Sequence, residues 1–288
     1  MKRVLITGEN SYIGTSLVSW MSKFKSEYCI DTISVKDNSW MSKDFSKYDT
    51  IIHLAAIVHV KENNDELYFK VNRDLAIKIA LKAKEDRVGQ FIFFSTMSVF
   101  GTDGGVVNSS TRLNPRNPYG LSKYEAEVEI SKLNTEDFKI CILRPPMIYG
   151  PNSVGNYAKL SMISKRLFFF PEVNNKRSML FINNLMCFIK LILDHQLEGT
   201  FHPQNLDLVN TSNLVKQIRV ANGKDIKLIS GLNQLITKLS SKIKTLDKVF
   251  GTLYYDSSTV GYPGSVYQGV KMDYQEKSFV ESIEESEK

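Results

Sequence analysis

A short apolar run closed by glycine opens the chain and restricts its fold more than any other stretch. Lys2-Arg3-Val4-Leu5-Ile6-Thr7-Gly8 reads as a strand ending in a turn. Glu9-Asn10-Ser11-Tyr12-Ile13-Gly14 then leads into a helical pattern whose apolar positions are Leu17, Val18, Trp20 and Met21. Strand, glycine turn and helix is the layout of a dinucleotide site. Glycines let the backbone approach a pyrophosphate, and the helix N-terminus offers free N–H groups and a partial positive charge. The usual spacing has three glycines, and Ser11 takes the middle place here, keeping the turn small but adding a Cβ. A plain strand-turn-helix with two incidental glycines explains the same letters.

The alternation continues. Strands are expected near 3–7, 30–35, 50–53, 91–95 and 139–143, and helices near 13–25, 66–85 and 119–133. Short apolar strands alternating with helices predict an α/β fold, a doubly wound parallel sheet with right-handed crossovers. Such sheets bind ligands outside the carboxyl ends of their strands. The Gly8 turn, Ala55, Thr96 and Pro145 each follow a strand, so all point to one crevice. Beyond Pro151 the alternation lapses. The expected division is a dinucleotide-binding domain over 1–151 and a smaller α+β, mainly substrate-binding domain over 152–288, with some later segments free to return to the first. The terminal run Glu281–Lys288 is expected to be a frayed charged tail.

Tyr119 and Lys123 stand four apart in Pro118-Tyr119-Gly120-Leu121-Ser122-Lys123 and share one helix face. A free phenol has a pKa of about 10 and is a poor acid or base at neutral pH. A nearby ammonium favours the phenolate, so the pair is a proton-transfer device. The same spacing also occurs on ordinary surface helices.

With these residues in place, the chain resembles the extended short-chain dehydrogenase/reductases, in the NAD-dependent epimerase/dehydratase branch of nucleotide-sugar epimerases and reductases. Four further segments match in order. Ile51-Ile52-His53-Leu54-Ala55-Ala56 resembles the strand that ends against the adenosine half of the cofactor. Val71-Asn72 resembles the Asn that opens the next long helix. Phe93-Phe94-Ser95-Thr96-Met97-Ser98-Val99-Phe100-Gly101 resembles the strand end carrying the family's Ser/Thr. Leu143-Arg144-Pro145-Pro146-Met147-Ile148-Tyr149-Gly150-Pro151 resembles the segment under the nicotinamide. Arg177-Ser178-Met179-Leu180-Phe181-Ile182-Asn183-Asn184 is a weaker match to a substrate-domain strand.

The resemblance implies a Rossmann-type fold and a catalytic set of Thr96, Tyr119 and Lys123. Tyr119 is then the base that takes an alcohol proton, or in reverse the acid that returns it. Lys123 lowers its pKa and bonds the nicotinamide ribose. Thr96 orients the substrate oxygen. The implied cofactor-binding residues are Gly8, Ser11, Tyr12, Ile13, Gly14, Lys36, Asp37, Leu54, Ala55, Ala56, Asn72, Ser95, Tyr119, Lys123 and Pro145. Those for substrate are Ser98, Asn156 and Arg177, the last because a guanidinium matches a diphosphate. Met97 and Ser98 stand where the family's dehydratases carry an acidic pair, so hydride transfer without loss of water is expected. The implied activity is a UDP-sugar 4-epimerase. A 4-keto reductase on NADPH uses the same three residues and stays open, as does a dehydrogenase of a non-sugar alcohol. Lys36, placed first after the second strand, favours NADP, and Asp37 beside it favours NAD. A homodimer through the two long helices is also implied.

Composition adds exclusions. A 24% charged and 42% hydrophobic chain of 288 residues with net charge +6 has the balance of a soluble globular protein, without a clustered arginine stripe for nucleic acid. Cys29, Cys141 and Cys187 lie in apolar runs with no metal-like spacing and fit a reducing cytoplasmic compartment. No metal site, signal peptide or membrane span is expected. His59 follows the third strand closely enough to reach the crevice, although a lone His is more often structural. One basic apolar segment, with Lys238, Lys242, Lys244 and Lys248 beside Leu235, Leu239, Ile243 and Leu246, fits a substrate-domain helix better than a membrane surface.

Overall fold

The computed structural model describes residues 1–58, 64–102, 104–231 and 249–288. Its first half runs β1 (Lys2–Thr7), α1 (Tyr12–Met21), β2 (Tyr28–Ile33), β3 (Thr50–His53) and α2 (Asp65–Tyr68). A π-helical stretch (Phe69–Leu75) joins α2 without a break to α3 (Ala76–Glu85). There follow β4 (Gln90–Phe94), a 3₁₀ turn (Met97–Phe100), β5 (Gly105–Val107), α4 (Pro118–Ser131), β6 (Lys139–Leu143) and β7 (Met147–Tyr149). The second half continues with α5 (Asn156–Ser164), β8 (Phe169–Pro171), β9 (Met179–Phe181), α6 (Ile182–His195), β10 (Gly199–Phe201) and α7 (Thr211–Ala221). It closes with β11 (Lys227–Ile229), β12 (Leu253–Tyr255), β13 (Val266–Tyr267), β14 (Val270–Lys271) and a last helix, α8 (Phe279–Ser286).

Six strands form one parallel sheet in the order β10-β6-β4-β3-β1-β2. Strands covered on both faces must be apolar throughout, and Val4, Leu5, Ile6, Ile51, Ile52, Phe91, Ile92 and Phe93 are all fully buried. Val4, Ile6, Ile52 and Ile92 pack with Leu17 of α1 and Leu185, Ile189 and Ile192 of α6. Leu5, Ile51, Phe91 and Phe93 pack on the other face with Ile79 and Ala83 of α3 and Ala126 and Ile130 of α4. The sheet is thus doubly wound. β1 pairs with both β2 and β3, so the strand order reverses beside it. That reversal opens a crevice at the carboxyl ends, which is where such sheets take their ligands.

Later segments build small accessory sheets: β7 with β9, β8 with β11 and β5 with β12, all parallel, and the antiparallel β13–β14 pair. α6 and β10 return to the main sheet, with Gly199–Phe201 beside Cys141–Leu143. No described helix is long and apolar enough to cross a membrane. The Lys-rich stripe between 232 and 248, and His59, lie outside the described residues.

Two expectations are corrected. The end of the chain is an ordered helix rather than a frayed tail. Ser278 and Glu281 form a reciprocal capping box at its start. At its end the Glu287 carboxylate receives Tyr157 Oη at 2.8 Å, Ser161 Oγ at 2.9 Å, Asn222 Nδ2 at 3.1 Å and Lys165 Nζ at 2.9 Å. The charged letters are spent on caps and on anchors to α5 and α7. The second correction is that β2 ends at Ile33, opposite Thr7. Ser34 is therefore the first residue after it, and Lys36 and Asp37 come later, in an exposed turn.

Candidate active site

Gly8 follows β1 with φ of +91°, a conformation open to glycine at little cost. A Cβ there would lie 2.9 Å from the Ala55 backbone nitrogen, so only glycine lets the turn press against the end of β3. Ser11 is the N-cap of α1, and its hydroxyl accepts from Gly14 N–H at 3.1 Å. The middle glycine's place is thus used to satisfy one orphan donor. The N–H groups of Tyr12 and Ile13 have no acceptor within the helix and face its open end. Leu54 closes the other wall, donating its N–H to Thr7 O at 3.1 Å. Ala55 and Ala56 follow it at the rim. The hydroxyls of Tyr12 and Ser95 are buried with no partner among the described residues. Cradle and helix end fit the pyrophosphate of a dinucleotide.

Thr96, Tyr119 and Lys123 converge beside this cradle. Thr96 follows β4, and its Oγ1 caps the 3₁₀ turn by accepting from Ser98 N–H at 3.1 Å. Ser98 Oγ lies 3.3 Å from the same oxygen. Pro145 O, at the end of β6, accepts from Met97 N–H at 3.1 Å and ties the turn to the neighbouring strand. The start of α4 is fixed by chemistry legible in Asn117-Pro118: Asn117 accepts from Gly120 N–H at 2.7 Å, and Pro118 fills the first turn. Tyr119 is thereby set at the helix entrance. Its phenol lies near enough to Thr96 for that hydroxyl to lower its pKa, and its ring meets Tyr68 edge-on at 6.2 Å.

Lys123 lies one turn further along and is only 2% exposed. Its Nζ donates to Phe94 O at 2.7 Å and stands 4.7 Å from the centre of the Phe93 ring. Burial lowers its pKa to about 7, and Glu127 works in the opposite direction. Burial raises the Tyr119 pKa above its ordinary value, and the Thr96 hydroxyl opposes that rise. The expectation that Lys123 holds the phenol down is therefore corrected: desolvation of Tyr119 dominates, and the lysine's hydrogen bond goes to the Phe94 carbonyl. Nearby His53 is fully buried in β3, hydrogen-bonded to Thr7 Oγ1 through Nδ1 at 2.8 Å. Its pKa falls to about 3, through burial first and Lys123 second, so it is a neutral structural residue.

Asn72 does not open a helix. Asn64 caps α2, and Asn72 is fully buried in the π-helical stretch. Its amide accepts Ile57 N–H at 2.9 Å and donates to Ile57 O at 3.0 Å and Ser122 Oγ at 3.3 Å. It latches the loop after β3 to α4. Asp37 caps the 3₁₀ turn 38–42 by accepting from Ser39 N–H and Oγ, which hold its carboxyl below the ordinary range, while Lys36 is exposed. Asn156 is exposed at the start of α5, behind Gly155. Arg177 donates to Gly251 O at 2.8 Å, and its backbone bridges Val209 and Leu253. Among the described residues no His, Cys, Asp or Glu group is arranged to hold a metal.

Sequence reading missed three residues. Gly120 lets α4 lie against the Thr96 turn, because a Cβ there would be 2.7 Å from Ser98 O. Glu127 and Arg144 form a buried ion pair behind Lys123. The Lys123 to Glu127 spacing of one helical turn was the available signal.

Residues 4–202 match the family model described as the NAD dependent epimerase/dehydratase family. The chain is 29% identical to a UDP-glucose 4-epimerase of Vibrio cholerae, with 95% of each chain covered. It is 25% identical to an N-acetyl-alpha-D-glucosaminyl-diphospho-ditrans,octacis-undecaprenol 4-epimerase of Escherichia coli O157:H7, over 77% of this chain and 73% of that one. A UDP-N-acetylglucosamine 4-epimerase structure from Bacillus cereus superposes with a TM-score of 0.76, at 16% identity, over 100% of this chain and 98% of the other.

Proposed function

Because the chain belongs to the NAD-dependent epimerase/dehydratase family, we propose that it is a nucleotide-sugar 4-epimerase acting on a UDP-sugar. The gathering of Thr96, Tyr119 and Lys123 at the ends of β4 and α4, beside the glycine cradle, carries this reading. It sets a phenol to exchange a proton with a hydroxyl that Thr96 also orients. A 29% match to a UDP-glucose 4-epimerase along nearly the full length of both chains supports the substrate class.

Gly8, Ser11, Tyr12, Ile13, Gly14, Leu54, Ala55 and Pro145 are the residues to hold the dinucleotide, with its pyrophosphate at the start of α1. When bound, NAD supplies a reversible hydride acceptor. This chain's residues do the rest. Thr96 holds the C4 hydroxyl beside Tyr119, its own oxygen accepting from Ser98 N–H at 3.1 Å and lying 3.3 Å from Ser98 Oγ. Tyr119 takes the C4 proton and later returns it. Lys123 anchors α4 to Phe94 O and brings positive charge beside the crevice. Met97 and Ser98 follow Thr96 with no carboxyl group, so the turn lacks the acid and base that removal of water requires.

Incubation with a panel of UDP-hexoses, followed by NMR of the C4 epimers, tests this. Interconversion of one pair by the wild type and none by Tyr119→Phe is expected. Equal turnover by both proteins would refute the assignment.

A further inference from the structure

Tyr119, Lys123 and Glu127 follow one another at four-residue intervals down one face of α4. Glu127 is as buried as Lys123, with 3% of its side chain exposed. Arg144 meets it side-on, Nε to Oε1 at 3.0 Å and Nη2 to Oε2 at 2.6 Å. The Arg144 guanidinium also covers the Phe100 ring at 5.4 Å, and Phe100 ends the turn that begins at Thr96. Its backbone N–H donates to Phe201 O at 2.9 Å, and its carbonyl accepts Tyr255 Oη at 2.8 Å. Pro145, next in the chain, receives Met97 N–H. One arginine thus joins α4, the Thr96 turn, β10 and β12.

We propose that the Glu127–Arg144 pair is the positioning device of the active site, seating Lys123 as a charged group and holding α4 in register with Thr96. This rests on the epimerase reading, which assigns Lys123 its role. An isolated buried ammonium is costly, and a carboxylate one helical turn away offsets the cost. Arg144 holds that carboxylate through two nitrogens. The other titratable groups facing Lys123 are Tyr119 on its own helix and His53 on β3. His53 is neutral, and Glu127 supplies the carboxyl group among the residues named.

The test is a titration of Lys123 by NMR in cofactor-free protein labelled with [13Cε]lysine, read beside the pH profile of turnover. Glu127→Gln should move the Lys123 midpoint down by at least about one pH unit. The alkaline limb of kcat should follow it, with little change in KM. Arg144→Gln should move the midpoint up, because a like charge is lost. Glu127→Asp should restore both readouts towards wild type. A strut with no electrostatic role would lower Tm in Glu127→Gln and Arg144→Gln alike and leave the midpoint in place, which would overturn the proposal. If Glu127→Gln does not fold, Arg144→Gln still decides: an upward shift of the midpoint is expected, and an unmoved midpoint overturns the proposal. Turnover surviving in Lys123→Met and Tyr119→Phe would instead sink the epimerase reading, whatever the titration shows.

Discussion

Tyr119 works against its surroundings. Burial raises its pKa and only the Thr96 hydroxyl opposes this in the free protein, so the proposed role as base requires its proton to be drawn off once the site is filled. Tyr119→Phe removes the transferable proton but keeps the ring packed on Tyr68. Turnover should fall by roughly 10²–10⁴-fold, while NAD affinity, measured by calorimetry, stays near wild type. Lys123 has the opposite problem. Its pKa is lowered to about 7 by burial, below the ordinary value of about 10.4. Between those values the unfolded chain binds more protons than the folded one, so this group's contribution makes stability rise with pH. Thermal melts of wild type and Lys123→Met should show wild type gaining on the variant from about pH 7 to about pH 10. A constant difference would mean that Lys123 titrates normally.

The elements are held by small residues at the places where backbones touch. Gly120 normally belongs to the class in which alanine stabilises a helix by about 1 kcal/mol. Here a Cβ would press on the Ser98 carbonyl at 2.7 Å, and overpacking costs about 1–3 kcal/mol, so the sign reverses. Gly120→Ala should lower Tm, and by tilting Tyr119 off Thr96 should reduce kcat by roughly 10–100-fold. A more stable, fully active variant would show that α4 tolerates the shift. The same elements mark what a sequence makes legible. The β1 strand, the Gly8 turn, the Thr96 strand end and the entrance of α4 could be read because each has a local signature in spacing, cap or glycine. The roles of Asn72, Glu127 and Arg144 could not, because each depends on a partner from another element. Lys36 and Asp37 failed differently: apolar Val35 extended the strand pattern, but it is buried in the turn beyond Ile33, where pairing with β1 ends.

At the scale of the whole molecule, the last helix closes the accessory region through one carboxylate. Burial pushes the Glu287 carboxyl up, but Lys165, Tyr157, Asn222 and Ser161 outweigh it and hold it below the ordinary range. Glu287→Ala should cost about 1.5–3 kcal/mol, a fall in Tm of roughly 3–10 °C. A depressed carboxylate stabilises above its unfolded pKa and loses that contribution as the pH falls, so the gap should close below about pH 4. The fold itself brings the six parallel strand ends to one edge, the place where such sheets take their ligands. In the proposed 4-epimerase, reversible hydride transfer keeps the hydrogen of C4 within the site. The most direct test supplies UDP-sugars deuterated at C4 to cofactor-loaded protein and follows the products by NMR and mass. Interconversion of C4 epimers with deuterium retained at C4, and no net change in the cofactor, is the predicted result. Net consumption of NADPH, a product lacking water, or no turnover of any UDP-sugar would contradict the account.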